Sequence, residues 1–248
     1  MNGTTGTEVR ACTTHAARRA AITGMAVAGS AVAAAAARFK LRNWGATWDE
    51  RARQLPGDEL VEDAASAYTR AITIHAPPDE VWRWLVQIGQ DRGGWYSYEG
   101  VENLFGLDIH NTDEIRGEWQ RLSVGDEVRA MPAGAFGMKE GYAFRVAIVE
   151  PGHALVLRQA PPEHPWDATW AFVLQPDGFG GTRLLVRGRS ARRPGLAGAM
   201  LYYGGELFDP VTFVMTRRML QGIRSRAEAA HQRELRHRAE VDHRLEAA

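Results

Sequence analysis

Residues 68–90 read YTRAITIHAPPDEVWRWLVQIGQ, and the change of period inside this stretch decides the fold. Up to His75 the apolar residues alternate, with Ile72 and Ile74 on one face and Thr73 and His75 on the other, as in a half-buried strand. From Pro77-Pro78 the period changes. Val81, Trp84, Leu85 and Ile88 fall at i, i+3, i+4 and i+7, one stripe of an amphipathic helix. A proline start with Asp79 and Glu80 in the first turn suits the helix dipole, and Gly89 is a natural stop.

Downstream, strand-like runs recur at hairpin spacing: Val124 to Met131, Tyr142 to Val149, Ala154 to Gln159, Thr169 to Leu174 and Thr182 to Arg189. Pro151-Gly152 and Asp177-Gly178 punctuate them. Connections this short require antiparallel pairing, because a parallel crossover needs about a dozen residues. Asp209-Pro210 then reads as an N-cap and first-turn proline. Val211, Val214, Met215, Met219, Leu220 and Ile223 form the apolar stripe of the helix that follows. The expected class is α+β: an antiparallel sheet of six or seven strands wrapped on the 210–228 helix, with an apolar segment before it.

The chain has 248 residues, 45% of them hydrophobic, enough for one packed domain plus extensions. Lys+Arg and Asp+Glu are both 30, so no global field draws nucleic acid. Cys12 is the sole cysteine, which excludes internal disulfides and cysteine metal clusters. Residues 1–19 are polar and small, with the composition of a disordered segment. Residues 20–37 carry no charge and, as a helix, would extend ~27 Å, near the thickness of a bilayer core. Three readings stand: a membrane anchor, an export leader (Arg18-Arg19 before the apolar run, Ala33-Ala34-Ala35 as cleavage site), or a soluble alanine-rich helix. Arg38, Lys40, Arg42, Arg51 and Arg53 after the run outnumber Arg10, Arg18 and Arg19 before it, which leans an anchor towards a cytoplasmic domain. Residues 38–66 read as a linker, with Trp44 and Trp48 suited either to a membrane interface or to the domain surface. The domain itself is expected over 67–228, and 229–248 as a charged, solvated helical tail.

Four stretches, WGATWDERARQLPGDELV, ITIHAPPDEVWRWLVQIGQDRGGWYSYEGVENLFGLDIHN, VEPGHALVLR and FVMTRRMLQGIRSRAEA, resemble bacterial members of the SRPBCC, or START-like, superfamily, often described as polyketide-cyclase-like. The resemblance spans Trp44 to Glu228. It implies a helix-grip fold, with a curved sheet gripping the terminal helix around a hydrophobic cavity. It also raises the anchor reading, since similar proteins carry a short apolar segment before the WGAT stretch. It implies no single reaction, because the superfamily includes lipid carriers, sterol binders and aromatase/cyclases.

On that topology Trp95, Tyr96, Tyr98 and Phe105 cover one mouth of the cavity as an aromatic lid, against the alternative of ordinary packing. Phe144, Trp170, Phe172 and Phe213 belong to elements placed around it and complete the expected ligand-binding set. Asp108, His110, Asn111, Asp113 and Glu114 are the densest polar cluster, but their spacing fits neither HExxH nor a calcium loop, so a solvated loop is the default. Arg183, Arg187 and Arg189 share a strand face that could meet an anionic head group, or simply be the wet side of the sheet. No GxSxG elbow is present, and Gly178-Phe179-Gly180-Gly181 reads as a hairpin. No catalytic residue, metal ligand or cofactor is assigned. The expected function is binding of a hydrophobic small molecule. The alternatives are a cyclase or dehydratase in the same cavity, or a partner-interaction protein working through its tail. An ionisable group inside the cavity would favour catalysis, and a filled core the third reading.

Overall fold

The computed structural model describes residues 25, 28–164, 166–192, 195 and 209–247. Residues 1–41 and 42–248 are separate units. In the first, the alanine-rich stretch from residue 28 onward is helical (α1, 28–42, ending at the boundary). Among the described residues no helix is long and apolar enough to cross a membrane. Of the expected Ala20–Ala37 segment, residues 20–24, 26 and 27 lie outside the described residues, as do residues 1–19.

The second unit is built on alternation. β1 (Ala64–Ile74) sets Tyr68, Arg70, Ile72 and Ile74 opposite Gly188, Val186, Leu184 and Thr182 of β6 (Thr182–Ala191). Directly opposed residues share a face, so these side chains form one surface. β2 (Glu127–Met131), β3 (Tyr142–Glu150), β4 (Ala154–Gln159) and β5 (Ala168–Pro176) complete a six-stranded sheet in the order β1-β6-β5-β4-β3-β2, antiparallel throughout. β1 and β2, consecutive in the chain, are the two opposite edges, so residues 75–126 must cross the whole sheet.

That crossing carries α2's successors, α3 (Pro78–Leu85) and α4 (Glu99–Leu104); α2 itself (Trp48–Ala52) precedes β1. Pro77 caps α3 in extended conformation, Pro78 opens it, and Val81, Trp84 and Leu85 are buried as the stripe requires. The helix stops earlier than Gly89. Gly93 N–H donates to Gln87 O at 2.8 Å and Gly94 N–H to Gly89 O at 2.9 Å, a tight reversal that needs Gly89 at φ +137°. Ile88 is nevertheless fully buried.

α5 (Asp209–Glu246) packs against α3 and β1 on the sheet's inner face. Its Met219, Leu220, Ile223 and Ala227 join Ile72, Ile74, Leu155, Phe172, Leu174 and Leu184 in the principal core. Burial at this level stabilises by about 1.5–3 kcal/mol for each large side chain. The architecture is thus α+β, a curved antiparallel sheet with a long C-terminal helix, consistent with a helix-grip fold.

The outer face is not wet. Residues 44–62, expected within a linker, lie against it: Leu55 joins Ala71, Ala154, Val173 and Leu185 in a second buried cluster. The arginine row of β6 is therefore neither a solvated face nor an open anion site. Arg187 is 4% exposed. Its Nε donates to Thr69 Oγ1, Nη1 to Arg53 O and Asp58 Oδ2, and Nη2 to Glu50 O and Arg51 O. All the N–H groups a guanidinium possesses are consumed by the protein. Arg183 pairs with Glu50 at 2.7 Å, and Arg189 donates to the carbonyls of Val61 and Glu62. Trp44 packs edge-on against Phe213 at 6.3 Å, whereas Trp48 is exposed.

Candidate functional site

The inner face changes character along the strands. On β6, Leu184 and Val186 give way to Gly188 and Ser190; on β5, Leu174 and Phe172 give way to Trp170 and Ala168; on β1, Ile74 and Ile72 give way to the buried Arg70 and then to Tyr68 and Ser66. α5 follows the same gradient, from Ile223 and Leu220 back to Thr216, Met215 and Thr212. Branched aliphatics fill the space at one end. At the other, small residues leave a cavity of about 490 Å³ between sheet and helix.

One wall is aromatic. Trp95 stacks on Trp170 with centroids 5.5 Å apart, and Phe144 tilts against Trp170 at 5.6 Å. The facing wall is α5, through Val211, Met215 and Met219. Gly188 lies directly between Tyr68 of β1 and Trp170 of β5. A Cβ there would come within 2.8 Å of Tyr68 Oη, so glycine leaves the hollow over which the tyrosine ring lies. Ser66, Tyr68, Arg42 and Asp209 also line the cavity, and Arg42 pairs with Asp209 at 3.5 Å.

The structure brings together Trp95, Phe144 and Trp170 of the expected ligand set. Phe172 sits behind Trp170, fully buried at 4.8 Å, in the core. The others do not line this cavity. Tyr96 is a buried strut: its hydroxyl accepts from Gln87 Nε2 at 2.9 Å and donates to Trp84 O at 3.2 Å. Burial pushes its pKa up to about 12. Tyr98 and Phe105 are exposed, Tyr98 with the Arg218 guanidinium 5.7 Å from its ring. Phe213 packs between Trp44 and Arg70.

Sequence reasoning missed Glu102. It lines the cavity at 5% exposure, while its helical neighbours Val101, Leu104 and Phe105 face outwards, Leu104 at 81%. Burial, then the nearby Glu99 carboxylate, raise its pKa from 4.5 to about 7, against the pull of the Ser97 hydroxyl. Its Oε2 and the Nε1 of Trp170 are buried with no hydrogen-bond partner among the described residues. No periodicity signals this carboxylate, since the apolar spacing of α4 points the other way.

The polar cluster after α4 serves the loop instead. Asn111 Oδ1 accepts from Tyr96 N–H at 2.6 Å, Arg226 pairs with Asp113 at 2.7 Å, and the exposed His110 meets Asp108 at 3.1 Å. Asp108 and then Glu99 raise the pKa of His110.

The class defined here is an α+β protein whose sheet and terminal helix line a largely apolar cavity that holds the buried carboxyl group of Glu102. No family model matches the chain, and no curated protein does. Solved structures do. Protein MLL2253 from Mesorhizobium loti is similar at 18% identity, over 66% of this chain and 98% of its own, with a TM-score of 0.38. A protein from Arthrobacter aurescens is similar at 12% identity, over 72% and 92%, with a TM-score of 0.41. The Aha1 dimer from Colwellia psychrerythraea is similar at 16% identity, over 58% and 90%, with a TM-score of 0.31. Similarity at this level carries no functional inference.

Proposed function

We propose that this protein binds a hydrophobic small molecule, of lipid, isoprenoid or polyketide-like character, between its sheet and its terminal helix. The observation that carries the reading is the 490 Å³ cavity with Trp95, Phe144 and Trp170 on one side and Met215 and Met219 on the other. Aromatic faces supply area, and unbranched methionines adapt to shape. The volume lies within the range of small-molecule sites. The resemblance to the START-like superfamily supports the same reading. The test is thermal unfolding with fatty acids, sterols, aromatic polyketides and isoprenoids. A true ligand at about 100 times its Kd should add roughly 2.7 kcal/mol. A flat response to the whole panel rejects the reading.

A second reading, a cyclase- or dehydratase-type enzyme, is favoured by one observation: Glu102, with a pKa of about 7, stands in the cavity where a general acid or base would be needed. If it is correct, Glu102→Gln keeps the affinity for an aromatic polyketide and loses its conversion. Anchoring through residues 20–37, with the domain cytoplasmic, is a separate proposal resting on the apolar run and its flanking charges. Cell fractionation decides it, and an exported chain beginning near Arg38 would identify a cleaved leader.

A further inference from the structure

Gly188 of β6 makes room for one polar group. Tyr68 of β1 lays the hydroxyl end of its ring over this glycine, where a Cβ would stand 2.5 Å from Cζ and 2.8 Å from Oη. Both residues line the cavity, so that end of the ring belongs to the cavity wall. Among the described residues the hydroxyl has no hydrogen-bond partner. Unlike Oε2 of Glu102 and Nε1 of Trp170, which are sealed in protein, it keeps accessible surface. Polar groups in such surroundings are normally paired, so a half-buried hydroxyl left open on an apolar cavity marks a place for a ligand's polar atom.

A phenol can donate or accept. Its surroundings select the donor role. The guanidinium of Arg70, itself fully buried, lies 4.4 Å from the centre of the Tyr68 ring, and Arg42 lines the same cavity. Positive charge beside a phenol polarises its O–H and weakens its lone pairs. Burial, the larger influence, raises the pKa of Tyr68, so the proton stays on the oxygen. The other polar side chains at this end are engaged: Ser66 accepts from Arg42, Arg42 pairs with Asp209 at 3.5 Å, and Thr212 donates to Asp209 O at 3.0 Å. A ligand carboxylate could accept from Tyr68, but it would share the cavity with Asp209 and Glu102. The complement of this donor is an uncharged acceptor.

Resting on the binding reading above, we propose that Tyr68 is a specificity residue whose hydroxyl donates a hydrogen bond to a carbonyl oxygen of the ligand, so that the cavity selects apolar ketones.

The experiment uses three probes on one frame, tetralin, 1-tetralone and 1-tetralol, against the wild type and Tyr68→Phe. The substitution removes one oxygen and leaves Trp95, Phe144, Trp170, Met215 and Met219, on which the binding reading rests, as they are. In calorimetric titration, Tyr68→Phe should weaken tetralone about tenfold, the effect of one well-made hydrogen bond, and leave tetralin within about twofold. Tetralol should lose less than tetralone. The infrared carbonyl stretch of bound tetralone reads the bond directly. It should fall below its value in hydrocarbon solvent with the wild type and not with Tyr68→Phe. Equal losses for tetralone and tetralin overturn the assignment and leave the binding reading intact. A tetralol loss as large as that of tetralone overturns the selection of ketones. A carbonyl shift that persists in Tyr68→Phe overturns the role of Tyr68 in favour of another donor. An unshifted stretch in the wild-type complex overturns it as well, and this arm stands even if Tyr68→Phe does not fold. Failure of all three probes to bind the wild type counts against both readings.

Discussion

Glu102 and Arg187 both break the polar-out rule, and they break it in different ways. Arg187 is buried but fully paired, whereas Glu102 is buried and half idle. The carboxyl group of Glu102 titrates near 7 in the folded protein against an ordinary value of 4.5. Between those values the folded protein holds a proton that the unfolded chain has released, so stability must fall as pH rises through this window and level off above it. The full loss is at most about 3 kcal/mol. Glu102→Gln should therefore match the wild type near pH 4 and exceed it above pH 7, read from denaturant midpoints across pH. A difference that does not vary with pH would show that the carboxyl is not held as described. Asp58→Ala tests the other case. It leaves the guanidinium of Arg187 buried without its counter-charge, and should cost about 3–5 kcal/mol. Glu228→Ala, which breaks partly exposed contacts to Arg224 and to the backbone and ring of His75, should cost about 1 kcal/mol. Denaturation of the two variants side by side provides the contrast. Neither residue's role is legible from the chain alone. Arg187 sits in an alternating pattern that reads as solvated until residues 44–62 are known to cover that face.

Strands were more legible than helices. Each strand expected from alternation is present, β4 with the same ends, because a period of two shows through wherever one face meets the core. α4 was misleading. Its apolar Val101 and Leu104, and Phe105 at its end, face outwards. A helix of six residues has too little stripe to set its own orientation. Here the flanking bonds set it: Asn103 clasps the backbone of Ile109 at 2.7 and 2.8 Å, and Ser97 donates to Met215 O at 3.2 Å. The same dependence on neighbours makes Gly188 a control point. Gly188→Ala should press on the Tyr68 ring, cost about 1–3 kcal/mol and weaken binding by driving that ring into the cavity. Adding Tyr68→Ala should return most of the stability lost. Additive losses in the double variant would mean that the two side chains do not compete for the same space.

For the whole molecule, the order of elements carried the architecture, since a strand, a crossing helix, five hairpin-linked strands and a long helix leave few ways to cover one sheet. The cavity was legible as a consequence of that order, but its polar content was not, because that depends on which way α4 faces. The third reading of the chain, a protein acting through its tail, is open to test at this scale. α5 is two things in one element. Up to Ala227 it is part of the core, Ala230 still packs against it, and beyond His231 its residues are exposed, with Leu235, Val241 and Leu245 among them. There Arg238 pairs with Glu234 along the helix at 2.7 Å, which supports helicity by only a few tenths of a kcal/mol. Deleting residues 232–248 therefore removes nothing that the sheet or the cavity uses. The truncated protein should unfold within about 0.5 kcal/mol of the full chain and bind the same small molecules equally well. A large fall in Tm would show that the tail is folded into the core's cooperativity. Unchanged stability with lost ligand binding would mean that the tail, and not the cavity alone, holds the ligand.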